Sequence, residues 1–198
     1  MFCIDYYCRF GEGPHRVQVQ LAFDPNGRAL QGTGDSFTIE MAPIDETPHA
    51  VLWFLEQVDA GNYDGCSFQA SAKHVIMGGA AGNFLSEPNF DPRGRFEESE
   101  FPHVLFSEYN PNFPQVKYTL GLADQPGGPD FFLNMQNNTN LNHAESCFAK
   151  VVDGFETVDR MHLPPSGDGF GSMIAIVSMR IIPNSNPATK FADMPMLE

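Results

Sequence analysis

The chain has 198 residues, 42% of them hydrophobic, with 11 basic and 25 acidic side chains and a formal net charge of −14. That length suits one domain with a full core, and that hydrophobic content excludes disorder for most of it. The charge opposes nucleic-acid backbones and anionic membrane surfaces.

The 18 glycines and 16 prolines favour short strands and turns over long helices. Val17 to Phe23 alternates through Val17, Val19, Leu21 and Phe23, the pattern of a half-buried strand, and Asp24-Pro25-Asn26-Gly27 is turn chemistry. Ser36 to Met41 alternates through Phe37, Ile39 and Met41 and predicts a second strand. The period then changes: Thr47 suits an N-cap, Pro48 the first helical position, Val51, Leu55 and Val58 share one face, and Gly61 ends the helix. Phe68 to Ala70 and His74 to Met77 predict two short strands around a tight bend that closes at Gly78-Gly79. Ala80 to Pro102 reads as a loop, with Glu97, Glu98 and Glu100 as a solvated acidic run. Val104 to Phe106, Tyr118 to Ala123, Phe131 to Met135 and Cys147 to Val152 read as further strands, with Gln125 to Pro129 an exposed turn or wall. Phe155, Val158 and Met161 stand at helical spacing, Met173 to Ile182 gives a last strand, and the chain from Pro183 reads as a loose tail. Strands without βαβ alternation predict a mainly β protein with a closed or curled antiparallel sheet. The layout expected is an N-terminal extension over 1–16, one domain over 17–182 and a tail over 183–198.

No apolar run approaches the ~20 residues that span a bilayer, so direct membrane insertion is not expected. The start of the chain lacks the basic-then-apolar pattern of a signal peptide. Cys3 and Cys8 are close enough to bridge in an oxidising compartment, whereas Cys66 and Cys147 sit among apolar residues as buried thiols. Asn137-Asn138-Thr139 is a glycosylation sequon, meaningful only in the secretory pathway. The compartment stays open between the cytoplasm and a luminal or secreted setting. The six histidines lack metal-binding spacing, and no metal or cofactor is expected.

Several motifs in order carry a resemblance: Phe37-Thr-Ile-Glu-Met with the helix from Thr47, Tyr63-Asp-Gly-Cys-Ser-Phe68, Tyr118 to Asp124, Gly128 to Leu133, and Cys147 to Asp159. Through them the chain resembles the cyclophilin family from about Val17 to Ile182. The resemblance implies an eight-stranded antiparallel β-barrel capped by two helices, peptidyl-prolyl cis–trans isomerase activity, and a proline-containing peptide or protein segment as partner; a monomer is expected.

In that family an arginine follows Phe-His on the third strand and donates to the prolyl nitrogen. That bond favours the twisted amide, whose lone pair has left the carbonyl resonance. The matching stretch here is Phe68-Gln69-Ala70, so Ala70 holds the arginine position. Carried over in the same way, the peptide-binding positions are Ala70, His74, Val75, Met77, Ala123, Asp124, Asp130, Phe132, Leu141 and Glu145. Met77 replaces the glutamine that grips the substrate backbone, Glu145 replaces the pocket histidine, and Ala123, Phe132 and Leu141 keep an apolar floor. Asp124, Asp130 and Glu145 either make the cleft acidic or are simply solvated, and His74 fits packing as well as contact. The expectation is a proline-peptide binder with isomerase activity weak or lost. The alternatives are an active isomerase that recruits Lys73, Arg93 or Arg95 as its cation, and a non-catalytic scaffold domain.

Overall fold

The computed structural model describes residues 9–11, 13–23, 35–83, 85–87, 89–123, 127–139, 145–161 and 174–182, and the backbone alone at 69–71. Alternation becomes strand where one face can be buried: Val17, Val19 and Leu21 of β1 (Arg16–Phe23) are at most 2% exposed. The remaining strands are β2 (Ser36–Met41), β3 (Cys66–Ser71), β4 (Val75–Gly82), β5 (Thr119–Leu122), β6 (Phe131–Asn134), β7 (Cys147–Asp153) and β8 (Ile174–Ile182). They close into a barrel in the order β1-β2-β7-β5-β6-β4-β3-β8, each ladder antiparallel. Closure leaves no free edge strand. The eight-stranded barrel expected from the sequence is therefore present.

Helix α1 (Pro48–Asp59) buries Ala50, Val51, Trp53, Phe54, Leu55 and Val58. Phe54 sets its ring 4.8 Å from that of Phe148 and edge-on to Phe131 at 6.0 Å, so the helix seals an aromatic core. Its cap differs from the expectation. The Thr47 side chain makes no capping bond, and the wholly buried residue has φ −140° and ψ 64°. Instead Glu108, far along the chain, accepts from the backbone N–H groups of His49 at 3.0 Å and Ala50 at 2.8 Å. A carboxylate suits those amides better than a hydroxyl because the helix dipole favours negative charge there.

Three further readings are corrected. The stretch from Ala80 to Pro102 is not all loop: β4 continues to Gly82, and α2 (Pro92–Glu97) follows. Asp91 accepts from the Gly94 N–H as N-cap, Pro92 opens the helix, and Phe96, 1% exposed, stacks near Trp53 at 6.4 Å and stands edge-on to Tyr63 at 5.0 Å. Burying that ring is what holds so short a helix. Val104 to Phe106 is not a strand: only Val104 pairs, in a single bridge to Gly127, while Leu105 and Phe106 are 77% and 52% exposed. In the stretch expected as an exposed turn or wall, Gly127 is buried against Leu122 of β5 and Gly128 against α1. Gly128 has φ +85°, and a Cβ there would approach Cζ2 of Trp53 to 2.8 Å, so only glycine fits under the indole.

Helix α3 (Phe155–Met161) lies where predicted, with Val158 and Met161 buried. Glu97, Glu98 and Glu100 are exposed, as expected. Cys66 and Cys147 are buried free thiols. Cys3, Cys8 and the tail from Pro183 lie outside the described residues. No helix among the described residues is long and apolar enough to cross a membrane.

Candidate functional site

Strand register decides which side chains share a face. Ile76 on β4, Leu120 and Leu122 on β5, and Phe131 and Leu133 on β6 point into the barrel, all at most 1% exposed. The residues between them face outward. Across the sheet, Ala70 pairs with Met77, Met77 with Phe132, and Phe132 with Gly121, which sets these four positions in one row over β3, β4, β6 and β5. A bulge between Phe68 and Ala70 brings Ala70 opposite Met77. Phe132 is 6% exposed yet lies outside the barrel core cluster, and Met77 is half-buried beside it. The ring of Phe132 lies over bare backbone: a Cβ on Gly121 would reach 2.8 Å from its Cε1.

Two residues along from Met77 and Phe132, Val75 and Asn134 form the next outward pair. Asn134 is fully buried and donates to Gln115 at 2.7 Å and to the Thr119 hydroxyl at 3.0 Å. At the other end of β6, Asp130 is 5% exposed and fully engaged. One carboxylate oxygen accepts from the Ala80 N–H at 2.8 Å, and the other from the Arg93 guanidinium at 2.9 Å. The second bond reaches the sheet from the first turn of α2, and the Arg93 side chain is 54% exposed. Asp130 thus does not stand as a free anion on this face; it fixes a cation there.

Of the residues singled out from the sequence, Val75, Met77, Ala123, Asp130 and Phe132 come together on this surface with Ala70 in register. Ala123 is buried at the end of β5, its N–H bonded to the Asp130 carbonyl at 2.9 Å. His74 sits half-buried at the β3–β4 bend, where its carbonyl accepts from Met135 and Asn138. Glu145 is half-buried just before β7, its carbonyl accepting from Gln115 at 3.2 Å. Asp124 and Leu141 lie outside the described residues, and Asn137 is exposed. Lys73 is exposed at the bend, while Arg95 donates to the Asp64 carbonyl at 2.9 Å and covers the Phe90 ring. Among the three basic residues considered, Arg93 is the one bonded to β6. Asp91-Pro92, an N-cap followed by proline, was the signal for the helix that carries it. Among the described residues no group of His, Cys, Asp and Glu could hold a metal.

The eight antiparallel strands closed into one sheet define the class of domain, an eight-stranded antiparallel β-barrel. Residues 30–181 match the family model for "Cyclophilin type peptidyl-prolyl cis-trans isomerase/CLD", and the chain belongs to that family. It is 24% identical over 149 residues to the Arabidopsis thaliana peptidyl-prolyl cis-trans isomerase CYP18-1, covering 72% of this chain and 87% of the relative. A crystal structure of a Cryptosporidium parvum cyclophilin type peptidyl-prolyl cis-trans isomerase superposes with a TM-score of 0.64 at 21% identity, over 87% of this chain and 99% of that one. A second structure of the same protein, in the presence of the dipeptide Ala-Pro, gives 0.65 at 22%, over 85% of this chain and 99% of that one. At those identities the structures speak for the fold.

Proposed function

We propose that this chain binds proline-containing peptide segments on the row of Met77, Phe132 and Gly121, and that its isomerase activity is far below that of an arginine-bearing cyclophilin. The observation that carries this reading is the register Ala70–Met77–Phe132. In that register Ala70 and Met77, neither residue type with a side-chain hydrogen-bond donor, stand in line with Phe132. Catalysing rotation about X-Pro needs a donor at the prolyl nitrogen and a group that holds the peptide backbone while the amide twists. Losing one preorganised donor costs about 10²–10³-fold in rate. The apolar floor still favours a proline ring by about 25 cal/mol per Å² buried, enough for weak affinity. The Ala-Pro dipeptide present with the Cryptosporidium parvum protein is the natural first ligand to try.

A second reading has a specific observation behind it. Arg93 is held at the end of β6 by Asp130, close along that strand to Phe132. If its guanidinium serves the prolyl nitrogen, turnover survives the loss of the family arginine. An X-Pro exchange assay on three proteins separates the readings. Near-background turnover in the native chain, raised by about 10²-fold or more in Ala70→Arg, supports the first. Near-typical native turnover that collapses in Arg93→Ala supports the second. Typical turnover indifferent to both substitutions refutes both.

A further inference from the structure

A cavity of about 470 Å³ lies between α1 and the segment leading to Phe106. His49, Leu52, Trp53 and Glu56 form its helical wall, and Glu100 to Phe106 its other wall. It shares no residue with the row on β4, β6 and β5. Three of its large apolar side chains are exposed: Phe101 at 41%, Leu105 at 77% and Phe106 at 52%. Isolated exposed apolar residues are ordinary, but such residues gathered around one concave surface mark a contact site.

The groove is built rather than loose. Both the Trp53 indole, at 2.6 Å, and Gln57, at 3.2 Å, donate to the Phe101 carbonyl. Val104 bridges to Gly127, and the His49 ring meets Phe106 edge-on at 4.7 Å. Its size is that of a pocket for one or two large side chains.

The rim is acidic. Glu56 and Glu100 line the groove, and Glu97 and Glu98 are exposed on the chain just before it. Arg9 bonds Glu56 at 3.3 Å and Asp59 at 3.1 Å, offsetting part of that charge. Burial lifts the Glu56 carboxyl above its ordinary pKa against the pull of Arg9, and the charge of Glu100 adds to the rise. An incoming cation would relieve that crowding.

We infer that this groove is a second docking site, taking a partner-protein segment with a Leu or Phe anchor flanked by Lys or Arg. The apolar walls accept the anchor, and Glu56 and Glu100 select basic over acidic neighbours. Proline is not required, because none of the floor residues takes part.

The test uses the full chain and a short fluorescein-labelled peptide with a central Leu-Phe pair, two lysines on each side and no proline, read by fluorescence anisotropy. The expected dissociation constant is about 10–100 μM. Leu105 is 77% exposed and Glu100 is exposed, so substituting either leaves the fold intact, which circular dichroism checks. Leu105→Asp should weaken binding about ten-fold or more and Glu100→Lys about three-fold. The peptide with glutamates in place of lysines should bind at least about ten-fold more weakly, and salt should narrow that gap. Binding of Ala-Pro, followed by NMR, should be the same in wild type and Leu105→Asp whether or not the floor is catalytic. No binding at about 1 mM, equal binding of both peptides, or indifference to Leu105→Asp overturns the inference. So does a wild-type dimer that Leu105→Asp dissociates, which makes the groove a self-interface. Binding that emerges only when residues 1–8 are removed overturns it too, assigning the groove to the chain's own N-terminus.

Discussion

The floor around Phe132 and the acidic groove are both tied to the short helix α2, one through Arg93 on Asp130 and the other through Phe96 on Trp53, and they are made in different ways. On the floor, position follows from the ladders: once β6 pairs with β4 and β5, Met77, Phe132 and Gly121 have nowhere else to be. Along the groove, residues 101–106 have a single bridge to the sheet, at Val104, and are held by side chains reaching over from α1. Substitution therefore acts differently on the two. A floor residue can change identity and keep its place, as Met77 does; a groove residue moves when its anchor goes.

The widest expected effect falls on the element tied to both. Phe96→Ala removes the ring that packs on both Trp53 and Tyr63, and should cost about 3–5 kcal/mol in chemical denaturation. A cost below about 1 kcal/mol would show that α2 is not the shared support. Gly121→Ala comes next. The added methyl has to push Phe132 off the sheet, for an expected loss of about 1–3 kcal/mol and a weaker Ala-Pro complex, with the Leu-Phe peptide unaffected. If both ligands weaken together, the two surfaces are not separable.

Glu108→Gln tests the groove side. It keeps the size but removes the charge from the first turn of α1, and should cost about 1 kcal/mol while loosening Phe106, read as peptide affinity. The smallest effect at neutral pH belongs to the thiols. Burial pushes both Cys66 and Cys147 up to about 12. At pH 8 about one such thiol in ten thousand is ionised, so both should resist alkylation until the chain unfolds, as peptide mapping would show. Unfolded and folded thiols are alike protonated at pH 7 and contribute nothing there. Above the ordinary thiol range the unfolded chain releases protons that the folded chain keeps, so stability should fall as pH rises from about 9 towards 12.

The strands, α1 and α3 were legible because each is written in a local period, and Ala70, Met77 and Phe132 of the outward row could be named, though not Gly121, because ordered motifs carry a family resemblance. Glu108 was not legible as the cap of α1, since 58 residues separate it from Ala50 and only the folded chain brings them together. Thr47 had the right chemistry for that task, but its burial took it away from the amides. Leu105 and Phe106 look like strand residues in isolation; among the described residues no strand pairs with them, and an apolar pair without a partner reads the same in sequence as one with a ladder. Arg93 could be named as a candidate cation, but its tie to Asp130 depends on α2, whose short span hid behind the prolines around it.

The clasp of Glu108 on α1 also joins two parts of the molecule into one dynamic unit. The amides of His49 and Ala50 are closed by a carboxylate two residues beyond Phe106, the end of the groove wall, so they can open to solvent only when that segment departs. Hydrogen exchange at these two positions is then a clock for the segment around Phe106, and anything that settles in the groove should slow it without touching the helix itself.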